Sequence, residues 1–272
     1  MTKFINRPTV YILNLVLRCH ESQIFERAAG LTYRVLLAFF PFLIFLITLL
    51  GIIAVDGSEI LQALFFMLPK DIADIASNFV HELGETHSAG VMSTALFFSM
   101  YNTSNGFRAI VRVTNRSYGM QDRRGIVVQI GLSFLLMILF SVMLIIMLGF
   151  LIFRRQILGL FFPNGSELLF SVIGIAVSLL VLIFVTTVIF RLACASRLPL
   201  RHVLPGAVIT VIVWAVISSV FGFAITNFTQ YSAIYGSIAG VFVLMLWLNF
   251  VCSVLLVGNE INAVAREYYP CV

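Results

Sequence analysis

Charge is what this chain of 272 residues has least of. Only 11% of it is Asp, Glu, Lys or Arg, while 61% is hydrophobic, against about 25% and 45–50% in a soluble domain. With a mean hydropathy of +1.06, it cannot build a water-facing globular surface. From Val203 to Asn259 no acid or base occurs at all. Apolar runs of this length, without strand-like alternation, read as lipid-spanning helices, because backbone groups inside a bilayer must bond within their own segment. The fold class that follows is all-α: a polytopic integral membrane protein.

Other absences narrow the function. The four cysteines, Cys19, Cys194, Cys252 and Cys271, have neither paired nor metal-ligand spacing, so no disulfide framework is expected. No GxxxxGK[ST] motif occurs, which argues against ATP as a direct driver. His81 and His87 lie among acids without a clean ligand spacing, and no metal is expected there. No paired carboxylates or His-based acid/base site gather at one depth; hence no catalytic residue, no cofactor and no enzyme activity are expected. Lys3, Arg7, Arg18, Glu21, Glu26 and Arg27 interrupt the first thirty residues, so a signal peptide is not expected and the N-terminus reads as retained. The net charge of +5 is spread over loops and helix ends. That distribution points away from nucleic acid and toward anionic lipid headgroups as the partner; it leaves the oligomeric state open.

The runs predict six transmembrane helices at about 35–55, 89–113, 126–152, 167–190, 203–226 and 233–260, most of them longer than the roughly 20 residues a hydrocarbon core requires. Residues 1–34 form an N-terminal segment carrying an amphipathic helix over 9–27 that runs into the first span. Residues 35–264 form a single transmembrane domain, and 265–272 a tail. The acidic loop 56–88 is expected to place a second amphipathic helix after Pro69 at the outer surface. Pro41 interrupts the first span and Gly236 and Gly240 form a GxxxG pair in the sixth, both read as helix-packing features.

Orientation follows from counting. With the N-terminus inside, the inner segments hold fourteen Lys and Arg and the outer ones three, so the positive-inside rule places both termini in the cytoplasm.

Two features carry candidate function. In the second span Thr94, Phe98, Tyr101, Asn105, Arg108 and Arg112 recur at helical spacing on one face, which reads as a substrate pathway; Arg108 and Arg112 could equally snorkel to headgroups. In the sixth, Glu260 ends the long uncharged run. An acid there needs a partner, and Arg34, Arg108 and Arg191 stand at the same cytoplasmic level. Arg34 and Arg191 with Glu260 form the expected structural or gating ion pair. Tyr101, Asn105, Arg108, Arg112 and Glu260 form the expected pathway.

Three groups of residues also resemble the YihY/BrkB family of bacterial inner-membrane proteins, historically mislabelled as ribonuclease BN. They are Ala28-Ala29-Gly30-Leu31-Thr32-Tyr33 with Phe40-Pro41-Phe42; Asn115-Arg116-Ser117-Tyr118-Gly119; and Tyr235-Gly236-Ser237 with Trp247-Leu248 and Gly258-Asn259-Glu260-Ile261-Asn262-Ala263. Gly30 and Asn259 depart from the residues common in that family. The resemblance implies a role in envelope integrity in the inner membrane, with handling of lipids or lipopolysaccharide precursors. Three readings follow: a transporter or flippase for an anionic amphiphile, a non-transporting scaffold, and, least favoured, an enzyme acting on lipids, for which the sequence offers no nucleophile or metal site. The topology has a direct test. A green fluorescent protein fused to the C-terminus should fluoresce, and alkaline phosphatase fused after Gly165 should be active; the reverse pattern would invert the assignment.

Overall fold

The computed structural model describes residues 7–53, 89–161, 166–196, 198–227 and 229–268. Among them every regular element is a helix: α1 (Arg7–Glu21), α2 (Ile24–Ile53), α3 (Ala89–Ser117), α4 (Ile126–Phe161), α5 (Glu167–Ala193), α6 (Leu200–Asn227) and α7 (Thr229–Tyr268). The expected outer helix and the Phe162-Pro163-Asn164-Gly165 turn lie outside the described residues.

Five stretches, Ile24–Leu46, Ile126–Phe150, Glu167–Ala193, Leu200–Phe223 and Gly240–Glu267, are long and apolar enough to cross a membrane. The sixth expected span is α3, whose 29 residues reach about 43 Å at 1.5 Å per residue, ample length with a more polar composition. In α5 only 17% of the apolar stretch is buried, and Leu168, Val172, Ile175, Leu180 and Phe184 are exposed. A contiguous apolar surface of this kind suits hydrocarbon and not water. The chain is a polytopic membrane protein.

The amphipathic segment ends earlier than expected. Ser22 N–H donates to the Arg18 carbonyl at 2.8 Å and Gln23 N–H to that of His20 at 3.0 Å. Gln23 then adopts φ 47°, the left-handed region that turns the chain out of α1. Ile24 and Arg27 therefore belong to α2, the span helix. Helix α2 continues through Pro41.

Two compact units emerge. One comprises Leu37–Phe107 and Ser133–Val185; it is built on rings and aliphatic side chains, with Phe140 at 5.6 Å from Phe42 and 5.9 Å from Phe107. Ser141, fully buried there, donates its hydroxyl to the Met137 carbonyl one turn back at 2.8 Å. The other comprises Met1–Leu36, Arg108–Leu132 and Thr186–Val272. In it α7 packs against both α6 and α1, and the candidate site lies within it.

Glycines make a close approach of α6 to α7 in that unit. A Cβ at Gly206 would sit 2.5 Å from Asn262 Cγ and still closer to the Gly258 carbonyl; one at Gly258 would sit 3.1 Å from the Gly206 carbonyl and collide with the Thr210 hydroxyl. Only hydrogen fits between α6 and α7 there. At Gly240, half of the expected GxxxG pair, a Cβ would meet nothing. Gly258→Ala and Gly206→Ala should each cost about 1–3 kcal/mol or more, the range for overpacking. Gly240→Ala should be neutral or slightly stabilising, as expected for Gly→Ala in a helix. Thermal unfolding of the detergent-solubilised variants measures both.

Candidate functional site: a buried acid and an arginine-lined cavity

The site starts at the end of α7. Residues 258–265 are all buried, an arrangement that requires neighbours on every side of a helix; each polar residue has at least one partner, while Asn259 Oδ1 and Asn262 Nδ2 are left without a hydrogen bond. Asn262 accepts the Gly206 N–H at 2.8 Å. Asn259 donates to the Thr114 hydroxyl at 3.3 Å and the Leu255 carbonyl at 3.2 Å. Glu260, 3% exposed, faces Arg27 at 4.0 Å, with the Arg18 charge also acting on it.

The cation beside Glu260 is thus Arg27, not Arg34 or Arg191. Arg34 lies seven residues along α2, about 10 Å farther up the axis. Arg191 is exposed near the end of α5 and makes no ion pair among the described residues.

Helix α3 delivers the second half of the site, and its last turn accounts for the Asn115-Arg116-Ser117-Tyr118-Gly119 motif. Gly119 takes φ 64°; its N–H donates to Arg116 at 3.0 Å and the Met120 N–H to Asn115 at 2.9 Å, a Schellman cap that glycine makes cheaply. Asn115 is almost fully buried. Its amide donates to the Val111 and Ala193 carbonyls at 2.9 Å each and accepts the Ala195 N–H at 2.6 Å, which ties α3 to the end of α5. Arg124 adds bonds to the Leu192 carbonyl at 3.3 Å and to that of Cys194. Burial pushes the Tyr118 phenol well above its usual range, and burial together with the Glu260 carboxylate raises the Cys19 thiol; both stay protonated near neutral pH.

Between α2 and α3 lies a cavity of about 330 Å³ lined by Arg27, Gly30, Leu31, Arg34, Ala109, Arg112, Val113 and Arg116. Four of the eight are arginines and none is an acid. Their spacing explains the convergence: Arg27 and Arg34 are two turns apart on one face of α2, and Arg112 and Arg116 one turn apart on α3. Arg34, Arg112 and Arg116 make no ion pair with any described carboxylate. Gly30 faces the cavity with open space where a Cβ would stand. The turn of α2 opposite the arginines borders a second cavity of about 390 Å³, lined by Ala29, Thr32, Phe242, Val243, Met245, Leu246 and Asn249; Thr32 donates to Asn249 across its floor at 3.3 Å.

Of the residues expected from the sequence, Arg34 and Arg112 reach the cavity. Arg108, one turn before Arg112, is half-buried and engaged elsewhere, though its charge acts on Arg112 together with that of Arg34. Tyr101 and Asn105 also have partners of their own, and Tyr101 is 46% exposed. For Gly236 the helix alone is described. Sequence reasoning missed Arg27 and Arg116 as cavity residues. The signal existed: Arg27 and Arg34 share a helical face once both are placed in α2, and Arg112 and Arg116 are an i, i+4 pair.

The described residues, whose regular elements are all helices and include five strongly apolar spans, with an enclosed acid and a cationic cavity, define a multi-pass membrane protein. The chain belongs to the BrkB family: the family model described as Virulence factor BrkB matches residues 15–270. It is similar to YfkH of Bacillus subtilis (strain 168), which carries a ribonuclease-like name, at 33% identity over 91% of each chain. It is also similar to a UPF0761 membrane protein of Alteromonas mediterranea, at 23% identity over 93% of this chain and 86% of the relative. A further UPF0761 membrane protein, of a Psychrobacter species, is 25% identical over 90% of this chain and 47% of its own length. No solved structure matches.

The Arg27–Glu260 pair is asymmetric, with side chains 21% and 4% exposed, and this sets the direction of a test. Removing the cation strands the more buried charge, so Arg27→Gln should lower stability by about 2–3 kcal/mol, short of the roughly 3–5 for breaking a fully buried pair. Glu260→Gln leaves Arg27 beside an open cavity and should cost about 1 kcal/mol. Thermal unfolding that ranks the two the other way would show that the pair is not what holds α2 to α7.

Proposed function

We propose that this protein transports or flips an anionic amphiphile, such as a lipid or lipopolysaccharide precursor, across a bacterial inner membrane, in the service of envelope integrity. The observation that carries the reading is the cavity between α2 and α3, with four arginines and no acid in its lining. Cations are costly to hold inside a membrane, so an uncompensated group of them on spanning helices is a functional feature by default. Guanidinium groups match phosphate and carboxylate oxygens with paired N–H bonds. The exposed part of the polar face on α3, with Phe98, Tyr101 and Arg112 uncovered, supports a pathway open to lipid along that helix. Orientation with both termini in the cytoplasm agrees with the gathering of the basic segments, including 108–124 and 191–201, in one compact unit. Glu260 then competes with the substrate for Arg27, which makes its carboxylate a candidate gate.

A second reading, a non-transporting scaffold, is favoured by the enclosure of α7 at 258–265, which holds α2, α3 and α6 through polar contacts. Purified protein in liposomes, with a fluorescent anionic lipid and an external quencher, separates the two. The wild type should expose inner-leaflet lipid to the quencher. Arg34→Gln and Arg112→Gln should each slow this about tenfold or more, since a hydrogen bond to a charged group contributes roughly 1.5–3 kcal/mol. No movement by well-folded wild type would rule out flipping and leave the scaffold.

A further inference from the structure

The charge inside the cavity also bears on which anion it takes, an inference that rests on the cavity being the anion site. Arg27, Arg34, Arg112 and Arg116 bring four positive charges to the lining. Glu260 offsets one of them, through Arg27 at 4.0 Å. Three remain without a carboxylate partner among the described residues. Uncompensated like charges repel, and Arg112 stands under the influence of both Arg34 and Arg108. One negative charge would leave two of the three unbalanced; two or three would balance the set.

Shape agrees with charge. The arginines on α2 are seven residues apart and those on α3 four, so the donors are distributed along about 6–10 Å of helix axis and do not converge on a point. A single tetrahedral phosphodiester with two free oxygens can accept from only part of such a column. A terminal phosphate presents three free oxygens, and a diphosphate more, arranged along a line. Space is sufficient: about 330 Å³ is the volume of roughly ten waters at about 30 Å³ each, and Gly30 leaves one wall without a side chain. The second cavity does not extend the site. Its α2 residues, Ala29 and Thr32, lie about half a turn around the helix from Arg27, Gly30, Leu31 and Arg34, so the backbone of α2 separates the two.

We propose that the arginine cavity between α2 and α3 binds a phosphate group carrying two or more negative charges, a phosphomonoester or a diphosphate, in preference to the singly charged phosphodiester of ordinary membrane lipids. The group can belong to a lipid headgroup or to a free anion, and the test separates these sources.

The full-length protein in detergent is titrated with phosphatidic acid, phosphatidylglycerol, phosphatidylcholine, inorganic phosphate and inorganic pyrophosphate, following binding by thermal shift, at a pH above the second phosphate pKa of about 6. Phosphatidic acid should bind at least about tenfold tighter than phosphatidylglycerol, with phosphatidylcholine inert. Arg34→Gln and Arg112→Gln should each remove most of that difference, and both residues are exposed, so the variants should fold. Arg155→Gln, which alters only the exposed pair with Glu167, should bind as the wild type does. Equal affinity for phosphatidic acid and phosphatidylglycerol, lost in the same variants, would overturn the charge preference while keeping an anionic amphiphile as substrate. Binding of pyrophosphate or phosphate with no response to either lipid would uphold the charge preference and overturn the lipid reading. Binding of none, or binding unchanged in both variants, would overturn the cavity as an anion site.

Discussion

A helix turn enclosed on every side cannot leave its polar groups to water, and the fold of the larger unit depends on how residues 258–265 meet that constraint. Gly258 admits the backbone of α6. Asn262 takes the N–H of Gly206, next to Pro205 in the second turn of α6. Asn259 reaches α3, and Glu260 reaches α2. Three helices, α2, α3 and α6, are positioned by residues within little more than one turn of α7. A carboxylate is tolerated in this enclosure because a guanidinium stands against it, and that guanidinium belongs to the wall of the cavity. The structural centre and the candidate binding surface therefore share Arg27.

This sharing makes the two functional readings less opposed than they look. A staple and a gate differ in whether the pair separates during work, not in which residues form it. Separation is plausible physically only from the Arg27 side, since that side chain borders open volume while Glu260 does not. An anion entering the cavity would draw on the cation and leave the carboxylate to the Arg18 charge.

Much of the architecture was legible in the residues, because hydropathy and charge placement act over twenty residues at a time. The spans, the polar stripe on α3 and the importance of Glu260 follow from such long patterns. The partner of Glu260 did not. It turns on one left-handed residue, Gln23, which ends α1 two residues before Ile24 and transfers Arg27 from an interfacial helix to a span; glutamine carries no local sign of that conformation. The small hydroxyls Ser99, Thr103 and Thr114 were passed over for a similar reason. Their burial on α3 depends on what packs against them, whereas the larger polar residues on the other face drew attention by size. The glycine contact was missed because GxxxG spacing singled out Gly236 and Gly240, while the contact is made by glycines on two different helices, which no spacing within one helix can reveal.

The short turn at Ser22 and Gln23 has a mechanical consequence. Helix α1 ends at Glu21 and α2 begins at Ile24, so no slack separates an amphipathic helix from a spanning one. At its other attachment α1 is held to the tail of α7 by Arg18 and Glu267 at 2.8 Å. A displacement of α1 therefore either ruptures that pair or acts as a lever on the first turns of α2, where Arg27 stands. Helix α1 is a handle on the cavity wall.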